Sequence, residues 1–423
     1  MTPRDREDLL TPGAIHSVAD AHQWLASSGG ARATVADRWL LAPLQRALDP
    51  KSIRIVLWDG TSFYRSPIRP LATVEVRDRA TLLGLLWNRE LTFGEAYSAG
   101  RLDVHGNLVT TLEAIYGLTQ PRAHRRLAWL SSWRRNTPVQ SRDNIHHHYD
   151  LGNDFYRIWL DGEMVYTCAY FSDSQMSLED AQLAKMRHVC RKLRLQPGDR
   201  VVEAGCGWGA LALYMARHYG VSVKAYNISR EQIRYARERA RTEGLADRVE
   251  FVEDDYRVIR GRFDAFVSVG MLEHVGLAQF HTMGHVINRC LEFQRGRGLL
   301  HFIGRNVIYP LNPWIRKRIF PGAYPPTLTQ VTSRIFEPWD ISVLDVENLR
   351  LHYAKTLAHW LARFESGADR VRAAFDESFV RAWRLYLAGA QVAFTTGWMQ
   401  LFQVTFARGC SNDIPWVRPG APN

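Results

Sequence analysis

Cysteine is scarce in this chain. Its 423 residues include five (Cys168, Cys190, Cys206, Cys290 and Cys410), scattered and never in a C-x-x-C pair. An odd, dispersed set argues against a disulfide framework and against a cysteine zinc site, and no metal is expected; it fits a reducing, cytoplasmic compartment. Long apolar runs are missing too. No uncharged stretch approaches the ~20 residues a membrane-spanning helix needs, so membrane contact is expected to be peripheral. The first ten residues carry Arg4, Asp5, Arg6, Glu7 and Asp8, too polar for a signal peptide. Internal repeats, low-complexity tracts and known RNA-binding motifs are absent, and no nucleic-acid partner is expected. What remains is a globular composition: 46% hydrophobic, with 14 Trp, 16 Tyr and 18 Phe, enough for a large core and two or three domains. A net charge of +11 should draw the chain to something anionic, a phospholipid surface or a nucleic acid.

Composition divides the sequence into three regions: residues 1–120, 121–143 and 144–423. Within the first, Val35 to Gly117 reads as a small α+β domain. Ala36 to Leu48 has helical spacing, Ser52 to Trp58 alternates like a strand, and Asp59-Gly60 then signals a hairpin turn. Val74 to Val76 suggests another strand and Ala80 to Trp87 a helix. The second region is basic: Arg122, Arg125, Arg126, Arg134, Arg135 and Arg142 come without an acid, and Trp129 and Trp133 lie among them. It suits a solvated linker and a phospholipid surface equally, since Arg pairs with phosphate and Trp settles at headgroup level. From Asn144 onward strands and helices alternate. Arg200–Glu203, Val221–Tyr226, Val249–Val252 and Phe263–Val269 read as strands, Ala210–His218 and Arg230–Glu243 as helices. That alternation predicts a doubly wound α/β sheet with parallel strands. Pro310–Pro326 reads as loop and Phe379–Phe394 as a late amphipathic helix.

Between the first of these strands and its helix lies Glu203-Ala204-Gly205-Cys206-Gly207-Trp208-Gly209. Glycines there allow sharp dihedrals and close approach of a ligand. A dinucleotide site would show G-x-G-x-x-G and an acid closing the second strand. This chain has G-x-G-x-G, and its second strand ends Tyr226-Asn227-Ile228-Ser229 with no acid. The spacing therefore favours an S-adenosylmethionine pocket, in a Rossmann-like class I methyltransferase sheet. Asn227 and Gln232 are candidates for the ribose, Asp254 and Asp255 for the adenine amino group. His146-His147-His148 invites a metal reading, but consecutive side chains diverge and rarely ligate one ion.

The motifs then become specific. His148-Tyr149-Asp150-Leu151-Gly152-Asn153-Asp154-Phe155-Tyr156 and Tyr166-Thr167-Cys168-Ala169-Tyr170-Phe171 resemble the entry segment of the cyclopropane-fatty-acyl-phospholipid synthases and the related mycolic acid cyclopropane synthases. The likeness continues through the glycine turn, Ile228-Ser229-Arg230-Glu231-Gln232, Ser268-Val269-Gly270-Met271-Leu272-Glu273-His274-Val275-Gly276, Leu300-His301-Phe302-Ile303-Gly304, Ile319-Phe320-Pro321-Gly322 and His352-Tyr353-Ala354-Lys355-Thr356. It ends near Gln400-Leu401-Phe402-Gln403 and so covers most of Asn144 to Arg408. The N-terminal region is similar, more loosely, to the small accessory domain of the phospholipid enzymes, chiefly at Leu91-Thr92-Phe93-Gly94-Glu95-Ala96-Tyr97.

The resemblance implies methyl transfer from S-adenosylmethionine to a cis double bond of an unsaturated acyl chain in membrane phospholipid, on the inner face of the membrane. Transfer leaves a carbocation, which the site must shield from water and face with aromatic rings; Tyr170, Phe171, Tyr353 and Trp360 are candidates. Proton loss then closes a cyclopropane ring, and in the family the base is thought to be bound bicarbonate. Cys168, Glu273, His301, the backbone at Ile303 and Tyr353 match its cradle. Tyr166, Thr167, Glu203, Gly205, Gly207, Gly209, Asn227, Ile228, Gln232, Asp254 and Asp255 match the cofactor pocket. Taken singly, Cys168, Glu273 and His301 each have an ordinary structural role available; their joint occurrence within the motifs favours catalysis. Departures from many relatives (Thr167 for Ser, Asn227 for Thr, Leu272 for Phe, Ala390 for Cys, Thr395 for Arg) bear on chain preference and product. The alternative outcome is a methyl-branched or methylene fatty acid. Relatives with such an accessory domain are often dimeric, which makes a homodimer an expectation of the resemblance.

Overall fold

The computed structural model describes residues 32–48, 52–64, 66–67, 69–117, 151–414 and 416. The Arg/Trp stretch Pro121–Arg142 and His146-His147-His148 lie outside the described residues. Two compact units emerge, the first drawing on residues up to 120 with 312–321 and 360–396, the second on 121–311, 322–359 and 397–423.

The first unit is built on a three-stranded sheet of β1 (Ile53–Leu57), β2 (Ala72–Val76) and β3 (Leu102–His105). Alternate residues of β1 and β2 are buried, as the period-2 pattern predicts. Asp59-Gly60 does turn the chain, with Gly60 at φ 84° and the Leu57 N–H donating to the Thr61 carbonyl at 3.0 Å. It does not make a hairpin, because β1 pairs with β2 in parallel and only β2–β3 is antiparallel. A parallel partner requires the chain to cross back before re-entering the sheet. Residue types in a turn set the bend, not the partner. The helices Arg79–Trp87, Arg89–Ser98 and Leu108–Tyr116 start on Asp78, Asn88 and Asn107, whose side chains accept the Thr81, Leu91 and Thr110 N–H groups. The late helix Glu377–Thr395 joins this unit by packing on Arg89–Ser98 and Leu108–Tyr116.

In the second unit β4 (Arg200–Ala204), β5 (Ser222–Asn227), β6 (Val249–Glu253), β7 (Ala265–Val269), β8 (Arg297–Gly304), β9 (Ile341–Asn348) and β10 (Gln400–Arg408) form one sheet, in the order β6-β5-β4-β7-β8-β10-β9. Strands β4 to β8 are parallel, while β10 is antiparallel to both β8 and β9. This is the doubly wound α/β sheet predicted from the alternation, with an antiparallel pair added at one side. Successive residues of β4 enter different cores: Val201 packs with Ala212 and Met215, Val202 with Phe266 and Phe280. Burial on both faces explains why Val201-Val202 of β4 and Ala265-Phe266-Val267 of β7 are apolar without alternation, Glu203 and Ser268 being buried polar exceptions. From β4 the chain order runs outward in both directions, which opens a crevice at the carboxyl ends of β4 and β7, where such sheets bind ligands.

Candidate active site

The glycine turn follows β4 directly. Gly205, Gly207 and Gly209 have φ of 85°, 54° and 87°, a region that side chains with a Cβ rarely enter. Their surroundings differ. A Cβ on Gly205 would meet Met271 at 2.8 Å, and one on Gly209 would meet the Phe251 ring at 2.7 Å and Ala236 at 2.9 Å. A Cβ on Gly207 would meet nothing within 4 Å. Two glycines thus let the turn pack, and the third faces open space. Beside it, at the end of β5, Asn227 Nδ2 donates to Gln232 Oε1 at 2.7 Å and Asn227 Oδ1 accepts the Ile228 N–H at 2.8 Å. After β6, Asp254 is half-buried and its N–H donates to the Asn227 carbonyl at 3.0 Å. Asp255 is buried and caps the turn Tyr256–Val258, accepting the Arg257 N–H at 2.9 Å. Asp255 Oδ1 is therefore engaged by the fold, as is Asp254 Oδ1, which accepts the Asp255 N–H at 2.8 Å.

Glu203 is buried under the turn, and one of its carboxylate oxygens has no protein partner. Lys185, also buried, donates from Nζ to Thr167 Oγ1 at 3.0 Å. Burial pushes Glu203 up and Lys185 down, both towards neutrality, while their mutual attraction opposes this. Tyr166 packs against Trp159 and Tyr156, and Tyr156 against Trp208, whose Nε1 donates to Asn153 Oδ1 at 2.7 Å.

The second cluster is positioned by β7 and β8. Val269, the last residue of β7, lies opposite His301, and the Gly270 N–H donates to the His301 carbonyl at 2.8 Å. β8 runs on past the end of β7, which leaves the Ile303 N–H with no strand beside it. Glu273 takes that place: its Oε1 accepts the Ile303 N–H at 3.1 Å. Its Oε2 is buried without a protein partner, as is His301 Nε2. Burial pushes Glu273 up to about 7 and His301 down to about 3, so at pH 7 His301 is neutral and Glu273 is divided between its neutral and ionised forms. Gly270 also brings in the entry segment, since a Cβ there would meet Thr167 Cγ2 at 2.7 Å. The next residue, Cys168, is buried with its thiol donating to the Ala169 carbonyl, and burial raises it far above the thiolate range. Thr356 Oγ1 accepts the Ala169 N–H at 3.0 Å, which docks this segment on the helix Arg350–Ser366. Tyr353, three residues earlier on that helix, is buried on the same side.

Not every aromatic candidate survives. Tyr170 stacks on His188 (ring centroids 4.3 Å apart) and on His352 (4.9 Å), so its faces are covered by imidazoles. Phe171 stacks on His359 and carries Lys355 Nζ 4.5 Å from its ring centre. Neither ring is open to a carbocation. Trp360 is buried and belongs to the first unit. Tyr353 remains. Sequence reading missed Lys185, although a signal was present: it falls at helical spacing among the buried Ala181, Gln182, Met186 and Val189 of the helix Leu178–Leu193. It also gave Gln403 no role, yet Gln403 Nε2 lies 3.1 Å from His301 Nδ1.

A glycine turn after the first strand of a doubly wound sheet, with amides after the second and an acid after the third, defines a class I S-adenosylmethionine-dependent methyltransferase. Residues 136–404 match the family described as mycolic acid cyclopropane synthetase. A Pseudomonas putida protein described as a probable fatty acid methyltransferase is 36% identical over 392 residues, spanning 90% of this chain and 99% of its own. The cyclopropane-fatty-acyl-phospholipid synthase of Escherichia coli K12 is 42% identical over 272 residues, 64% of this chain and 69% of its own. A crystal structure of the mycolic acid cyclopropane synthase CmaA1 complexed with SAH and CTAB is similar at a TM-score of 0.59 and 29% identity, covering 63% of this chain and 97% of that one. The chain belongs to the mycolic acid cyclopropane synthetase family.

Proposed function

We propose that this methyltransferase alkylates a cis double bond in an unsaturated acyl chain of membrane phospholipid and closes a cyclopropane ring. The observation that carries this reading is the pair of buried, unpartnered atoms, Glu273 Oε2 and His301 Nε2, held beside the glycine turn. Unpaired buried polar groups are costly and mark a place where something else binds. An alkene is a poor nucleophile, so holding it in line with a sulfonium methyl supplies much of the rate. Gly207 leaves room for the cofactor, Asn227 and Gln232 stand at its ribose, and Asp254 at its base. Tyr166, Thr167, Ile228, Glu203, Gly205 and Gly209 shape that pocket. The donor and acceptor chemistry of Glu273, His301 and Tyr353 fits a small oxyanion, with the Ile303 N–H holding Glu273 in place and the Cys168 thiol turned to the Ala169 carbonyl. Bicarbonate held there by Glu273, His301 and Tyr353 would supply a base for the proton that the new methyl group loses. Neutral His301 contributes one donor, and Glu273 contributes a hydroxyl donor in its protonated form. The Cys168 thiol, kept protonated, adds no competing nucleophile.

Access to such a substrate is from the membrane surface, on its cytoplasmic side. No described helix is long and apolar enough to cross a bilayer. The basic Arg/Trp stretch and the N-terminal unit are the parts assigned to the lipid surface.

A second reading, a methyl-branched or methylene product, is supported by the description of the Pseudomonas putida relative as a fatty acid methyltransferase. The two are separated by incubating the protein with S-adenosylmethionine and unsaturated phospholipid vesicles, then analysing the fatty acids by gas chromatography and mass spectrometry. A gain of one CH2 that resists mild hydrogenation and opens under forcing hydrogenation is the expected result. A CH2 gain without a ring would favour the second reading, and no gain with any lipid would remove both.

A further inference from the structure

His301 faces Gln403 across the antiparallel pair β8–β10, and Gln403 faces Glu347 across β10–β9. Opposed residues point to the same side of a sheet. The three side chains therefore form one polar row across three strands. His301 and Gln403 are buried, whereas Glu347 sits at the rim with 26% of its side chain exposed. There its Oε2 takes a bond from Lys192 Nζ at 2.7 Å and lies 2.7 Å from His188 Nε2.

The inner contact decides where the proton of the imidazole sits. Gln403 Nε2 is 3.1 Å from His301 Nδ1. An amide nitrogen has only hydrogens to offer, so Nδ1 must present its lone pair and a neutral ring must carry its proton on Nε2. That is the ring nitrogen without a protein partner. The opposite amide orientation would turn the NH2 group towards Glu347 and leave Nε2 as an acceptor. Lys192 and His188 already hold the Glu347 Oε2 atom. The orientation found leaves Gln403 Oε1 buried without a partner, so among the described residues the contact with His301 is the one hydrogen bond that orients the amide. Burial alone would raise Glu347, and these two partners outweigh it, keeping the group ionised with a value of about 2.

We infer that Gln403 is a positioning residue that locks His301 as its neutral Nε2–H tautomer, making the imidazole a hydrogen-bond donor to an anion beside Glu273 and not a base. Lys192 and His188 take the Glu347 Oε2, which lowers what that carboxylate would gain by drawing the Gln403 amide away from His301. The inference rests on the oxyanion reading of the site and adds the direction of one hydrogen bond to it.

The test is nitrogen-15 NMR of the full chain labelled on histidine, with the His301 signals identified by their loss in His301→Asn. The expected wild-type spectrum shows a protonated Nε2 and a lone pair on Nδ1, unchanged from pH 6 to 9. In Gln403→Glu, read at pH 9 so that the buried carboxyl is ionised, the side chain can only accept, so the proton should move to Nδ1 or the ring become doubly protonated. Turnover should fall by about 100-fold or more, as expected for a wrong histidine tautomer, with the KM for S-adenosylmethionine within about twofold. A wild-type His301 protonated on Nδ1, or an unchanged tautomer in Gln403→Glu, would overturn the assignment. Should Gln403→Glu fail to fold, the wild-type spectrum alone decides. The tautomer is read without lipid or turnover, so an error in the alkylation reading would show separately, as a correct tautomer in a protein that makes no product.

Discussion

Glu273 shows how burial and chemistry are coupled in one side chain. Its ordinary value of 4.5 rises to about 7 because the charged form loses water. The folded chain therefore binds a proton that the unfolded chain releases between these values. The stability this contributes is fully present below pH 4.5 and lost as pH rises through 7. Glu273→Gln keeps an acceptor for the Ile303 N–H and carries no charge. Relative to wild type it should gain up to about 3 kcal/mol at pH 8.5 and far less at pH 5, while losing about 100-fold or more in product formation. Denaturant melts at the two pH values and the vesicle assay check both halves. The glycines offer a second contrast. Gly209→Ala should destabilise the chain by about 2 kcal/mol or more, since the methyl would strike Phe251 and Ala236. Gly207→Val should cost only about 1–2 kcal/mol of backbone strain and yet remove cofactor affinity, because the space it fills is open. Calorimetric titration with S-adenosylhomocysteine beside a thermal melt separates the two effects. The glycine spacing was legible in the sequence. Which glycine packs and which faces open space was not, because that depends on Met271, Phe251 and Ala236 arriving from other elements.

At the level of elements, the βαβ run was readable because short strands rich in apolar residues alternate with helices of apolar periodicity. The pairing at the far side of the sheet was not. β10 inserts between β8 and β9 and carries Gln400, Gln403 and Thr405 into a buried strand, where local composition predicts nothing of the kind. The helix Glu377–Thr395 was predicted as amphipathic, but its partners were hidden by sequence distance. Arg381 on that helix donates to the Tyr97 and Leu102 carbonyls at 2.5 and 2.8 Å and to Asp103 Oδ1 at 2.6 Å, with its guanidinium over the Tyr97 ring. Arg381→Met keeps the stem and removes all three bonds. It should cost about 2–4 kcal/mol, since two carbonyls and a half-buried carboxylate lose their donor. Hydrogen exchange should then quicken in Arg89–Ser98 and Glu377–Thr395 and remain unchanged in β4 to β7; equal quickening throughout would mean that Arg381 does not act locally.

For the whole molecule, the first unit is assembled from three stretches of chain, 1–120, 312–321 and 360–396. Removing residues 1–120 would leave two of them without the sheet and helices they pack on. Gly94, for example, lies so close to the Trp314 ring that an added Cβ would be 2.2 Å from it. Such a truncated chain should aggregate or bind a hydrophobic dye strongly, as seen by size-exclusion chromatography and fluorescence; a monodisperse, dye-free product would show that the later segments need no N-terminal partner. The net charge of +11 bears on the membrane at this scale. Replacing Arg125, Arg126, Arg134 and Arg135 with Gln should weaken co-sedimentation with anionic vesicles, because each cation near the surface contributes about 1 kcal/mol. Unchanged sedimentation would assign membrane contact to another part of the chain.

The sequence by itself determined the fold class, the glycine turn and the family, because each is written in neighbouring residues: apolar periodicity, glycine spacing, and short motifs in order. Tertiary structure alone decided the parallel pairing after Asp59-Gly60, the loss of Tyr170 and Phe171 as open rings, the commitment of Asp255 to a helical cap, and the row His301–Gln403–Glu347. Each of these depends on which side chain arrives from a distant segment to cover a face, accept a proton or fill a space. Local propensity carries no record of such contacts, which exist only once the sheet has brought strands far apart in sequence side by side.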